Sequence, residues 1–67
     1  MEANTKFENE EILKEQIEKI RLSGKTNMFD TQAVQYLAFD DCMTELVLFI
    51  ADHKQNYINY IFTGSFA

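Results

Sequence analysis

Cysteine occurs once in this chain, at Cys42, which excludes an internal disulfide and fits the reducing conditions of a cytosol. Histidine also occurs once, at His53, whereas a zinc site wants three or four Cys or His ligands. No loop alternates oxygen ligands around a glycine as a calcium site does, and no phosphate loop is present. Basic residues are scarce. Six Lys and Arg against eleven Asp and Glu leave a net charge of −5, the opposite of the basic footprint expected of a nucleic-acid-binding domain. Proline is missing altogether, so nothing in the second half of the chain forbids one long helix. The longest apolar run falls far short of the roughly 20 residues needed to span a bilayer. Met1 to Glu11 is polar and acidic, without the apolar stretch of a signal peptide. These absences point to a cytoplasmic protein with no membrane segment, no metal and no cofactor.

What is present is an apolar run from Asp41 to Ala51. As a helix it places Met43, Leu46, Val47 and Ile50 on one stripe. Phe49 then lies roughly 110° from the centre of that stripe and Leu48 roughly 150°, at about 100° per residue. A helix apolar on so much of its circumference is normally surrounded, by its own chain or by a partner. A strand is the competing assignment, but the run does not alternate, and no second β-rich segment could satisfy its backbone.

Sixty-seven residues make one domain, expected over 9–67, with residues 1–8 frayed. The spacing predicts an all-α bundle of four short helices over about 9–23, 31–40, 43–51 and 53–63. In the first, Leu13, Ile17 and Ile20 share a face, and Glu10 with Lys14 and Glu15 with Lys19 are acid-before-base pairs four residues apart. Thr5 with Glu8 has the form of a capping box, Asn9 is a second N-cap candidate, and Gly24 is the stop. Asp30 reads as the N-cap of the second helix, with Phe29 and Val34 placed for a hydrophobic staple. Asp40, Asp41 and Cys42 form the next turn, where Thr44 or Asp41 can cap. Asp52 and Gln55 have capping-box spacing, so the third and fourth helices are separated at Asp52, although one helix over 43–63 fits the same pattern. Gly64 ends the last helix.

Chemistry is thin. A lone histidine at a helix start beside Asp52 is ordinarily a solvated or capping residue. Asp41, Cys42 and Glu45 lie close in sequence without completing a metal set, and Cys42 reads as a small, partly buried hydrophobe. The second helix, the short turn and the third helix have the dimensions of a helix-turn-helix. A recognition helix, however, must offer polar and basic side chains to bases and phosphates. Here it offers Thr44, Glu45, Leu48 and Asp52, with no Lys or Arg.

Three strings stand out together: Ile17-x-x-Ile20-Arg21-x-Ser23-Gly24-x-x-Asn27-Met28-Phe29-Asp30 followed by Ala33-Val34, then Glu45-Leu46-Val47-x-Phe49-Ile50, then Tyr57-x-x-x-Ile61-x-Thr63-Gly64. Over residues 12–64 this pattern resembles a small uncharacterised family of Firmicutes and their phages, a domain of unknown function. The resemblance implies a phage or mobile-element context. It carries over no activity and no site residue.

The expected function is therefore non-enzymatic: a protein-interaction module, with modulation of a host protein as its role. The alternative is a small helix-turn-helix-like DNA-binding regulator. Leu13, Ile17, Ile20, Phe29, Val34, Leu37, Leu46, Val47, Ile50, Tyr57 and Ile61 suffice to fill one small core. Tyr36, Phe39, Leu48, Phe49, Tyr60 and Phe62 are then left over as interface candidates. Because no disulfide or metal supports so small a core, self-association as a homodimer is the expected compensation, alongside a protein partner.

Overall fold

In a computed structural model, which describes residues 9–66, four helices follow one another: α1 (Glu10–Ser23), α2 (Thr31–Asp40), α3 (Thr44–Asp52) and α4 (Lys54–Thr63). No strand occurs among the described residues, so the protein is an all-α bundle, as the periodicity predicts. Fraying of residues 1–8 and the Thr5 capping box lie outside the described residues.

The apolar periodicity of each helix sets its inward face. Leu13, Ile17 and Ile20 of α1 are buried, and they meet Val34 and Ala38 of α2, Leu46 and Ile50 of α3, and Tyr57 of α4 in one core. Helix α3 packs on all three of the others. The continuous stripe from α3 into α4 does not produce one helix. His53, at φ −137° and ψ 51°, breaks it one residue beyond Asp52. A straight helix over 44–63 would be about 30 Å long, whereas the 10-residue α2 spans about 15 Å. Breaking at His53 lets the Tyr57 face join the core that α1 and α2 have already started. The proposed Asp52 and Gln55 box does not form, since no side chain caps α4.

Three helix ends are closed by the local signals of the sequence. Asp30 caps α2, its Oδ1 accepting the Ala33 N–H at 3.2 Å. Phe29, expected in the core, is about half exposed, with its ring against Phe62 at 5.1 Å. Gly24 and Gly64 take left-handed φ values of 66° and 84° as helix stops. On α1 an ion pair forms at a spacing of three, Arg21 to Glu18 at 3.6 Å.

Helix α2 stops without a glycine. The Met43 N–H donates to the Ala38 carbonyl at 2.7 Å and the Cys42 N–H to the Phe39 carbonyl at 3.1 Å, the two bonds of a Schellman motif. Cys42 takes its left-handed position at φ 61°. The cysteine is exposed, which corrects its assignment as a partly buried hydrophobe.

Neither Thr44 nor Asp41 caps α3; Met43 is its N-cap and makes no side-chain cap bond. The missing cap comes from α1. Gln16 Oε1 accepts the Leu46 N–H at 3.1 Å, while its Nε2 donates to Glu45 Oε1 at 3.0 Å. That donated bond, together with the backbone N–H of Glu45, lowers the Glu45 pKa. A second long-range tie runs from α4 to the loop before α2: the Tyr57 hydroxyl donates to the Met28 carbonyl at 2.6 Å. Burial raises the Tyr57 pKa from 10.0 to about 12, partly opposed by the Arg21 charge.

Three stability measurements follow from this packing. Leu46→Ala is expected to cost about 2 to 5 kcal/mol, at the upper end the whole of a stability of about 5 kcal/mol, which would leave folded and unfolded chain about equally populated. Chemical denaturation followed by circular dichroism reads it, and a loss under about 1 kcal/mol would mean that the site is not fully enclosed. Cys42→Gly should raise stability by up to about 1 kcal/mol, because it relieves a non-glycine residue in the left-handed region and removes no buried atom. Tyr57 folds with a raised pKa, so its contribution is intact below about pH 10 and is lost as pH rises through about 12. Denaturation midpoints across that window should fall for the native protein and fall less steeply for Tyr57→Phe.

Candidate interaction surface

On α2, Gln32, Gln35, Tyr36 and Phe39 recur at steps of three and four, on the side away from Val34 and Ala38. On α3, Thr44, Val47, Leu48 and Ala51 do the same away from Leu46 and Ile50. The two stripes adjoin. Gln35 Nε2 donates across the helix junction to the Val47 carbonyl at 3.0 Å, and Gln32, Gln35, Tyr36, Phe39 and Val47 line one open groove. Tyr36 is 68% exposed, Phe39 72% and Leu48 58%. Both helices therefore present large apolar side chains to solvent on a common face.

None of those eight side chains carries a charge at neutral pH. Asp40 and Asp52 end the two helices, and Glu45 is held on the other side of α3 by Gln16. The middle of the face is therefore uncharged, with exposed Asp40 and Asp52 one turn from Tyr36 and Leu48 at its ends.

Of the six residues expected at an interface, the structure brings Tyr36, Phe39 and Leu48 to this face. Phe62 is exposed elsewhere, paired with Phe29. Phe49 and Tyr60 are corrected: both are buried by their own chain. The residue that covers them is Phe66, itself 3% exposed. Its ring stacks on Tyr60 at 4.5 Å and meets Phe49 edge-on at 5.2 Å, while its carbonyl accepts the Asn56 side-chain amide at 2.8 Å. Burial, with the nearby Glu18 carboxylate, raises the Tyr60 pKa. Phe66 was not singled out in the sequence, although an apolar residue just past a helix-ending glycine is the signal, since apolar contacts across such stops are frequent.

No chemical site accompanies the face. His53 is exposed at the α3–α4 break with its ring 5.5 Å from Phe49. Among the described residues no group of three or more His, Cys, Asp and Glu side chains could hold a metal ion. No helix among them is long and apolar enough to cross a membrane. A wider groove between α1 and the α2–α3 turn, lined by Ile12, Glu15, Lys19, Leu22 and Cys42 among others, mixes both charges with apolar side chains.

No curated protein and no solved structure matches the chain. One family model does, over residues 9–65, which takes in all four helices, the Asp30 cap, both glycine stops and the whole α2–α3 face. The chain belongs to the DUF5049 family, a domain of unknown function.

Proposed function

We propose that this protein is a non-enzymatic interaction module that docks the α2–α3 face against another protein surface, in a phage or mobile-element setting where it modulates a host protein. The observation that carries this is that Tyr36, Phe39 and Leu48, three large apolar side chains on the outward sides of two adjoining helices, stay in solvent after the core has been closed. Contiguous exposed apolar patches usually mark interaction sites, and aromatic side chains are enriched in such interfaces. The resemblance to proteins of Firmicutes and their phages supports the setting.

DNA binding through the α2–turn–α3 unit is the second reading, favoured by the three-residue connection Asp41–Met43. Against it, the exposed side of α3 offers Thr44, Leu48, Ala51 and Asp52 without a cation, while affinity for the phosphate backbone comes chiefly from Lys and Arg.

The test is capture from a Firmicute lysate on immobilised native protein beside Leu48→Glu, with random-sequence duplex DNA offered at low salt in parallel. The expected result is a protein retained by the native chain and lost with Leu48→Glu, while the variant keeps its helical spectrum. Retention of duplex that fades steeply as salt rises would instead support the DNA-binding reading, because phosphate contacts release counterions.

A further inference from the structure

We infer that the segment after α4 is a releasable strap, and that the socket it fills, made by Phe49, Asn56 and Tyr60, is a binding site for an aromatic residue of a polypeptide together with that residue's own backbone carbonyl. The site shares no residue with the α2–α3 face, so it stands or falls apart from the reading of that face.

The occupant of the closed chain defines the ligand. The Phe66 ring lies on Tyr60 at 4.5 Å with 15° between the planes, and meets Phe49 edge-on at 5.2 Å; stacked and edge-to-face pairs are the arrangements that aromatic rings prefer. Its carbonyl accepts Nδ2 of Asn56 at 2.8 Å. The socket thus holds a ring by stacking and a main-chain oxygen by a directed donor, and any peptide carrying an aromatic residue offers both.

The strap is lightly attached. Of Gly64, Ser65 and Phe66, only Phe66 is buried. Gly64 turns the chain off α4 at φ 84°, and the Ser65 N–H donates to the Thr63 hydroxyl at 3.1 Å in an exposed turn, where water replaces such a bond at little net cost. Leaving the socket moves only residues beyond Thr63, the last of α4.

What the strap covers lies at the margin of the core. Phe49 and Tyr60, 6% and 8% exposed, are the least buried members of the core cluster, whereas Leu46, Ile50 and Tyr57 on the same two helices are at most 1% exposed. Tethering explains how one side chain suffices. A short link keeps the ring near its socket at an effective concentration of about millimolar or more, so weak intrinsic affinity keeps the socket filled. A partner that presents an aromatic residue with further contacts of its own displaces it.

Phe66→Ala empties the socket, and acetyl-Gly-Ser-Phe-amide is the probe, with acetyl-Gly-Ser-Ala-amide beside it; the ring resonances of Phe49 and Tyr60 read occupancy. The variant is expected to keep its helical spectrum and to titrate Tyr60 closer to the ordinary 10.0, because burial is the largest cause of that raised pKa. The Phe peptide should shift both rings saturably at about millimolar concentration, and the Ala peptide should not. Adding Asn56→Ala should weaken the Phe peptide about fivefold, the worth of one hydrogen bond. The native chain, its socket already filled, should bind the peptide at least about tenfold more weakly than the variant. No saturable shift, equal binding of the two peptides, equal binding by the two chains, or indifference to Asn56 would each overturn the site. Should Phe66→Ala lose its helices, the Phe peptide must restore them, since a ligand of the folded state stabilises it. Failure to restore them would make Phe66 an inseparable part of the core and overturn the strap.

Discussion

A nine-residue helix with Leu46, Val47, Leu48, Phe49 and Ile50 in succession gains little by forming alone in water, because short isolated helices are marginal and most helical stability in proteins comes from packing. Enclosing it is the constraint on which the rest of the structure depends. Helix α1 brings Ile17 and supplies the Gln16 amide to the open N-terminus of α3. Helix α2 brings Val34 and Ala38 to the core and Gln35 to the Val47 carbonyl. Helix α4 folds back at His53 so that Tyr57 closes the core. Each neighbour thus contributes apolar side chains together with at least one hydrogen bond to a distant segment.

Those long-range bonds are few, but two of them satisfy groups that would otherwise be costly. A buried polar atom without a partner costs about 1 to 3 kcal/mol, a large share of what a small domain has in reserve. Gln16 answers an orphan N–H of the first turn of α3, where Met43 cannot cap. Tyr57 is fully buried with its hydroxyl on the Met28 carbonyl, so one ring both fills the centre and fixes the loop that leads into α2. Polar contacts here set the order and direction of the helices, and apolar burial supplies the stability.

The helices were legible in the sequence because their signals are local. Three-and-four spacing placed Leu13, Ile17, Ile20, Leu46 and Ile50 inside, and Asp30, Gly24 and Gly64 punctuate as expected. What was not legible depends on distance or on exceptions. The α3–α4 break has no proline or glycine, and the apolar stripe runs through it in phase; only the length of the neighbouring helices makes it necessary. Cys42 stops α2 in a conformation that ordinarily selects glycine. Gln16 acts on α3 from 30 residues away, a pairing no window could contain. The face was half legible: Tyr36, Phe39 and Leu48 were found by counting what the core could not hold, while Phe49 and Tyr60 were misplaced because Phe66 was not counted as a cover.

The same geometry explains why some leftover apolar residues are covered and others are not. Seen down its axis, α3 has Gln16 and α1 on the Glu45 side, Gln35 and α2 on the Val47 side, and Phe66 over Phe49. Leu48 points between none of these. Four short helices around one core leave the outer side of their middle pair open, and a chain can keep that side uncovered simply by making it polar, as exposed helix faces usually are. Here it carries Tyr36 and Phe39 on α2 and Leu48 on α3, with Asp40 and Asp52 at the ends. That composition leaves apolar area in solvent on the free chain, a cost that the proposed docking contact would offset.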